Sequence, residues 1–170
     1  KGSELLSGSK NFYDDLGNEI GSAEFMNGEL DKAHCTSFRF SKSETEVTGE
    51  EDEAQTITTG YEKEINPSSY TEEVDPANFY DQFNDSVLSE TITKTVTDAE
   101  GNNLSQTTSY LRGKNKTETV TTYENDDFGR TVKENTIQKK YQDGRWLPSY
   151  ETEVSYTYDE NGNVTETETK

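Results

Sequence analysis

The chain has 170 residues, enough for one domain or one repeat array, with a hydrophobic fraction of 27%, a mean hydropathy of −1.10 and a formal net charge of −19. That balance argues against a large apolar core, against nucleic acid as a partner, because phosphates demand basic patches, and against attraction to anionic membrane surfaces. A single cysteine, Cys35, excludes an internal disulfide framework and a cysteine-based zinc site, and no apolar run is long enough for a membrane-inserting helix.

Disorder is a poor account of the low apolar content, because disordered chains lack aromatic and β-branched residues. Here 11% of residues are aromatic, ten of them Tyr, and Thr is abundant throughout the second half. Both types suit a pleated, half-exposed surface. The composition therefore predicts an all-β protein, an antiparallel meander of long hairpins in an open, twisted sheet.

In chain order, residues 1–10 lack the apolar stretch of a secretion signal and read as a flexible lead-in, which suits a protein secreted or lipid-anchored upstream of residue 1. Residues 11–170 read as one β-rich domain, irregular over 11–89 and a regular meander over 90–170. In the irregular part, turns at 14–18 and at Asn27-Gly28 mark two hairpins. Strands are expected over 36–41 and 56–61, separated by an acidic loop at Glu50-Glu51-Asp52-Glu53. Asp75 as a cap and Pro76 at the first helical position predict one short helix near 76–84, with Phe79 and Phe83 on one face. In the regular part, alternation predicts strands over 90–97, 104–111, 117–124, 131–141, 146–158 and 164–169. Asp143-Gly144 is a strong two-residue hairpin signal, and Pro148 suits an edge or a bulge.

A five-residue motif punctuates these strands: Asp, two variable residues, Gly, then Asn or Arg. It occurs as Asp14-Asp15-Leu16-Gly17-Asn18, Asp98-Ala99-Glu100-Gly101-Asn102, Asp126-Asp127-Phe128-Gly129-Arg130 and Asp159-Glu160-Asn161-Gly162-Asn163. The Asp can accept bonds from backbone N–H groups ahead of it, and the Gly supplies positive φ. A degenerate copy, Tyr80-Asp81-Gln82-Phe83-Asn84-Asp85, would place Asn84 at the Gly position. Counting that copy, the motif Asp residues are spaced 67, 17, 28 and 33 apart, so there is no fixed period.

With a preceding Tyr, as in Tyr13-Asp14-Asp15-Leu16-Gly17-Asn18 and Tyr158-Asp159-Glu160-Asn161-Gly162-Asn163, the motif resembles the YD repeat of the RHS (rearrangement hot spot) family. The copies beginning at Thr97 and Asn125 lack the Tyr. The resemblance implies a bacterial surface or secreted protein, β-sheet architecture and a non-catalytic role. The chain is too short for the closed shells that the family builds.

No catalytic site is expected. His34 and Cys35 are adjacent, so on a strand they point to opposite faces. No Gly-x-Ser-x-Gly, phosphate loop or dinucleotide fingerprint occurs. The oxygen-rich turns at 98–102 and 159–163 raise calcium as an option, but the Asp already has a sufficient turn role, so neither a metal nor another cofactor is expected. If no bulge intervenes, Trp146, Tyr150, Tyr156 and Tyr158 share one face of a single strand, either as core or as a sugar-stacking stripe. The expected function is a non-catalytic extracellular or cell-surface interaction, adhesion or scaffold module with a protein or glycan partner. The alternative is a carbohydrate-binding accessory domain using the stripe on strand 146–158.

Overall fold

The computed structural model describes residues 7–13, 16–17, 19–26, 37–50, 53–66, 80–82 and 84–170. The chain is an all-β antiparallel meander. Its ten strands are β1 (Ser7–Tyr13), β2 (Glu19–Met26), β3 (Ser37–Thr48), β4 (Gln55–Ile65), β5 (Val87–Thr97), β6 (Asn103–Arg112), β7 (Asn115–Asn125), β8 (Thr131–Gln142), β9 (Arg145–Tyr158) and β10 (Val164–Thr169). They pair in sequence order, and the sheet does not close, so β1 and β10 are its edges. Each strand predicted in the second half is present. The turns that separate them carry positive φ at Gly101, Gly113, Gly129, Gly162 and at both Asp143 (51°) and Gly144 (80°). Two successive positive φ values make Asp143-Gly144 the twist-matched hairpin turn that its sequence signals.

The short helix expected near 76–84 falls largely outside the described residues. Within its span, 80–82 form a turn, and Asn84 opens a 3-10 turn, Asn84–Ser86. The Asn84 N–H bonds the Asp81 carbonyl at 3.3 Å, but Asn84 does not adopt positive φ. The degenerate motif copy therefore lies in the β4–β5 connection and makes no hairpin. The Asn27-Gly28 turn, Asp75, Pro76, Phe79, Phe83, His34 and Cys35 lie outside the described residues, as do Asp14 and Asn18. The first motif is represented by Gly17, whose φ is +85° between β1 and β2.

The chain divides into two compact units. The first comprises 1–44 and 60–91 and holds the buried core. Among the described residues, Phe12, Phe40, Ile65 and Tyr80 are buried, together with Lys63 and Ser89. Phe12 on β1 and Phe40 on β3 stack at 6.3 Å. Gly21 on β2 pairs with Phe12. Arg39 lies among Glu24, Glu62 and Glu64 at 3.6–3.8 Å, a cross-strand charge cluster on β2, β3 and β4.

The second unit, 45–59 and 92–170, has no buried residue at all among those described. Its strands are half-exposed on both faces, so cross-strand pairs take the place of a core, each contributing roughly 0.2–1 kcal/mol. Thr121 and Thr136 hydroxyls meet at 3.0 Å, the Gln138 amide donates to Thr119 at 3.2 Å, and Lys133 bridges Glu153 at 2.9 Å and Glu124 at 3.7 Å. Half-buried residues run consecutively along β7 and β8, polar side chains among them, so both faces share what burial there is.

Candidate interaction surface

Three motif turns in the second unit share one hydrogen-bond pattern. In the Asp98 turn, the Gly101 N–H bonds the Asp98 carbonyl at 3.1 Å and the Asp98 N–H bonds the Asn102 carbonyl at 3.0 Å. The corresponding distances are 2.9 and 2.9 Å in the Asp126 turn and 3.0 and 2.9 Å in the Asp159 turn. The carboxylate then closes a clasp on the fifth residue. Asp98 Oδ1 accepts the Asn102 N–H at 2.7 Å, and Oδ2 accepts its side-chain amide at 2.9 Å. Asp159 holds Asn163 in the same way, at 2.8 and 3.0 Å. Asp126 holds Arg130 through the backbone N–H at 3.0 Å and through Nε and Nη2 at 2.8 and 2.6 Å. Asn and Arg alternate at the fifth position because both offer a planar side-chain donor within reach of that carboxylate.

The turns also touch one another. A Cβ added to Gly129 would collide with the side-chain amide of Asn102 in the preceding turn, and one added to Gly162 would meet Arg130 Nη1 at 3.7 Å. The Asn125 amide donates to the Asn103 carbonyl at 2.8 Å, the Tyr158 hydroxyl donates to the Thr131 carbonyl at 2.6 Å, and the Arg130 guanidinium lies over the Tyr158 ring at 4.6 Å. Each clasp thus seats on the glycine of the next motif turn. At Gly129 the missing side chain serves both the positive φ and the close approach, whereas at Gly162 only the φ demands glycine.

A bulge completes the motif. Pairing shifts by one residue at Ile20, at Val132 and at Thr165, each six residues after a motif Asp. A bulge strengthens local twist and re-aims the side chains beyond it. Sequence reasoning missed it. The available signal is the β-branched residue at the same offset in these three copies.

The clasp holds the carboxyls of Asp98, Asp126 and Asp159 below the usual carboxylate range, chiefly through the side-chain bonds from Asn102, Arg130 and Asn163. A depressed folded pKa contributes stability that is present above the unfolded value and lost as pH falls through the folded value. We therefore expect the second unit to melt at progressively lower temperature below about pH 4, where a free carboxyl begins to protonate. Asn163→Ala should flatten that acid slope, read from thermal melts between pH 2 and pH 7. An unchanged slope would show that the Asp159 clasp is not its source.

The expected four-residue aromatic stripe is divided. Gln138 pairs with Tyr150, but the next residue, Lys139, pairs with Pro148, leaving Ser149 as a bulge. Successive β8 residues face opposite sides, so the bulge puts Trp146 on the face of Tyr141 and Tyr150 on the face of Gln138. Tyr156 and Tyr158 follow Tyr150, because β9 alternates regularly beyond it. The proline that marked a possible bulge sits beside it, and the missing N–H of Pro148 is the physical reason the ladder slips there.

What the structure assembles around Trp146 is different. Its ring packs edge-on against Tyr141 at 5.4 Å, and Lys116 Nζ lies 5.5 Å from its centroid. Lys116, Tyr141 and Trp146 form one cross-strand row on β7, β8 and β9. A shallow depression of about 290 Å³ beside them is lined by Asn115, Lys116, Thr117, Lys140, Tyr141 and Gln142. Arg112, Lys114, Lys116, Lys139, Lys140 and Arg145 are all exposed at this end of the unit. They include six of the sixteen basic residues of an acidic chain, so this end is locally cationic. Sequence reasoning missed the grouping because the six lie on four strands and one turn and meet only through the two hairpins. Trp146 is 37% exposed. As the sole tryptophan it should be quenched readily by acrylamide in the folded protein, whereas quenching only after unfolding would contradict its placement.

Among the described residues, no group of three His, Cys, Asp or Glu side chains is placed to hold a metal, and no helix is long and apolar enough to cross a membrane. Fold and site together define the chain as an antiparallel β-meander held by clasped, mutually seated Asp-x-x-Gly-Asn/Arg turns. No family model, curated protein or solved structure matches it.

Proposed function

We propose that the chain is a non-catalytic interaction or scaffold module of a secreted or surface protein, related in its turn design to YD-repeat proteins. One observation carries this reading: the second unit is a sheet with no buried residue among those described, held by its turns, so the residues of both faces keep exposed area for contact. A layer of this kind offers area and rigidity but no dry pocket in which a reactive group could be tuned. Antibody labelling of intact producing cells tests it. Labelling before lysis supports the reading, and labelling only after lysis overturns the surface location.

A second reading rests on the Lys116–Tyr141–Trp146 row: recognition of an acidic glycan, with the aromatic pair as stacking platform and the cationic end as counter-charge. At physiological salt, charges beyond about 8 Å are screened, so a local basic patch can act within an acidic protein. A glycan array carrying uronic-acid and sulfated oligosaccharides should show binding that Trp146→Ala abolishes. Binding that is absent, or indifferent to Trp146, sinks this reading.

A further inference from the structure

Lys63 is anomalous. It lies on β4 and is 1% exposed. Nζ donates to Asn84 Oδ1 at 2.8 Å and sits 3.9 Å from the centre of the Tyr80 ring. Among the described residues no carboxylate lies within ion-pair distance of it. A buried ammonium with no ion-pair partner is strongly unfavourable, and burial favours the neutral amine. Burial pushes its pKa below the ordinary lysine value, with the charge of Lys42 adding to the effect and those of Asp81 and Glu90 opposing it. A desolvated neutral lysine is a nucleophile, and the carbon it could attack, Asn84 Cγ, is one bond beyond the oxygen it already touches.

We propose that Lys63 and Asn84 form an intramolecular isopeptide bond, a covalent staple between β4 and the turn that precedes β5. The Nζ lone pair adds to Asn84 Cγ and the new C–N bond forms. One Nζ proton passes to a neighbouring carboxylate. The carbonyl re-forms, the Cγ–Nδ2 bond breaks, and Nδ2 takes that proton and leaves as ammonia. No oxidant, reductant or co-reactant is needed. Asp81 and Glu90 are the carboxylates whose charges act on the amine, and Glu90 Oε1 accepts the Tyr80 hydroxyl at 3.2 Å, Tyr80 being the ring that covers the amine. Asp81 and Asn84 are exposed, so the reacting pair sits at the edge of the buried region. The pair spans 21 positions of sequence. Closing a loop of that length restricts the unfolded chain, which matters in a unit with only four buried apolar residues among those described.

Intact-mass spectrometry of the folded full chain tests the staple. The wild type should be lighter than its sequence mass by one ammonia, and a digest should contain a branched peptide joining Lys63 to Asn84. Lys63→Met and Asn84→Ala should each show full mass, and Asn84→Asp should lose one water instead. The proposal is overturned if the folded wild type has its full mass. It is equally overturned if Lys63→Met loses ammonia to the same extent, because cyclisation at Asn27-Gly28 or Asn161-Gly162 would then account for the loss. Should Lys63→Met fail to fold, the presence or absence of the branched wild-type peptide decides the matter.

Discussion

Phe40→Ala is expected to destabilise the first unit by about 3–5 kcal/mol, the cost of removing a fully buried phenyl ring and leaving a cavity. Phe40 is 0% exposed and stacks on Phe12, which is itself only 3% exposed, so the truncation strips both the ring and its partner's packing. The loss should be local. Amides of β1 to β3 should exchange much faster with solvent, while those of β7 to β9, which belong to the second unit, keep their protection. Ile137→Ala, a truncation on a half-exposed strand of the second unit, should cost only about 1 kcal/mol. Hydrogen exchange read strand by strand, with urea melts for the totals, checks both. Equal costs at the two sites would refute the contrast between a cored unit and a coreless one.

Gly129→Ala is expected to be the most damaging replacement among the motif glycines Gly101, Gly129 and Gly162. The position has φ +75°, where an L-residue is strained, and the new methyl would collide with the Asn102 amide. Strain and displacement together should cost about 1–3 kcal/mol. Gly101→Ala isolates the first contribution. Gly101 has φ +88° but open space around a would-be Cβ, so only the backbone penalty of about 1–2 kcal/mol applies. Because Asn102 is itself clasped by Asp98, the collision at Gly129 should also loosen the preceding turn. Asn102→Ala should therefore restore part of the stability lost in Gly129→Ala. Equal melting temperatures for Gly101→Ala and Gly129→Ala would show that the turns do not seat on one another.

The regular half of the fold was legible because two local signals agree there. Period-two alternation marks the strands, and residues able to take positive φ mark the turns. Both act over a few residues, so 117–124, 131–141 and 146–158 could be bounded to within about two residues, inside the usual uncertainty of strand ends. The role of the motif's Asp and Gly was also legible, since each follows from short-range backbone geometry. The fifth residue was visible as Asn or Arg but not as the partner of the Asp carboxylate, which requires the closed turn.

The aromatic stripe shows where local reading stops. Even numbering placed Trp146, Tyr150, Tyr156 and Tyr158 together, and one unpaired residue, Ser149, separated the first from the rest. A single inserted residue inverts every face assignment beyond it, and its position depends on how β8 and β9 align, a contact between strands. The same holds for the cationic end, for the seating of Asn102 on Gly129 and for the burial of Lys63 under Tyr80. By itself the sequence determined the strand order, the turn chemistry and the thinness of the core, because composition and nearest-neighbour geometry suffice for those. Only the tertiary structure decided which side chains share a face, which turns touch, and which lysine loses its water, because those depend on register and on residues brought together from separate strands.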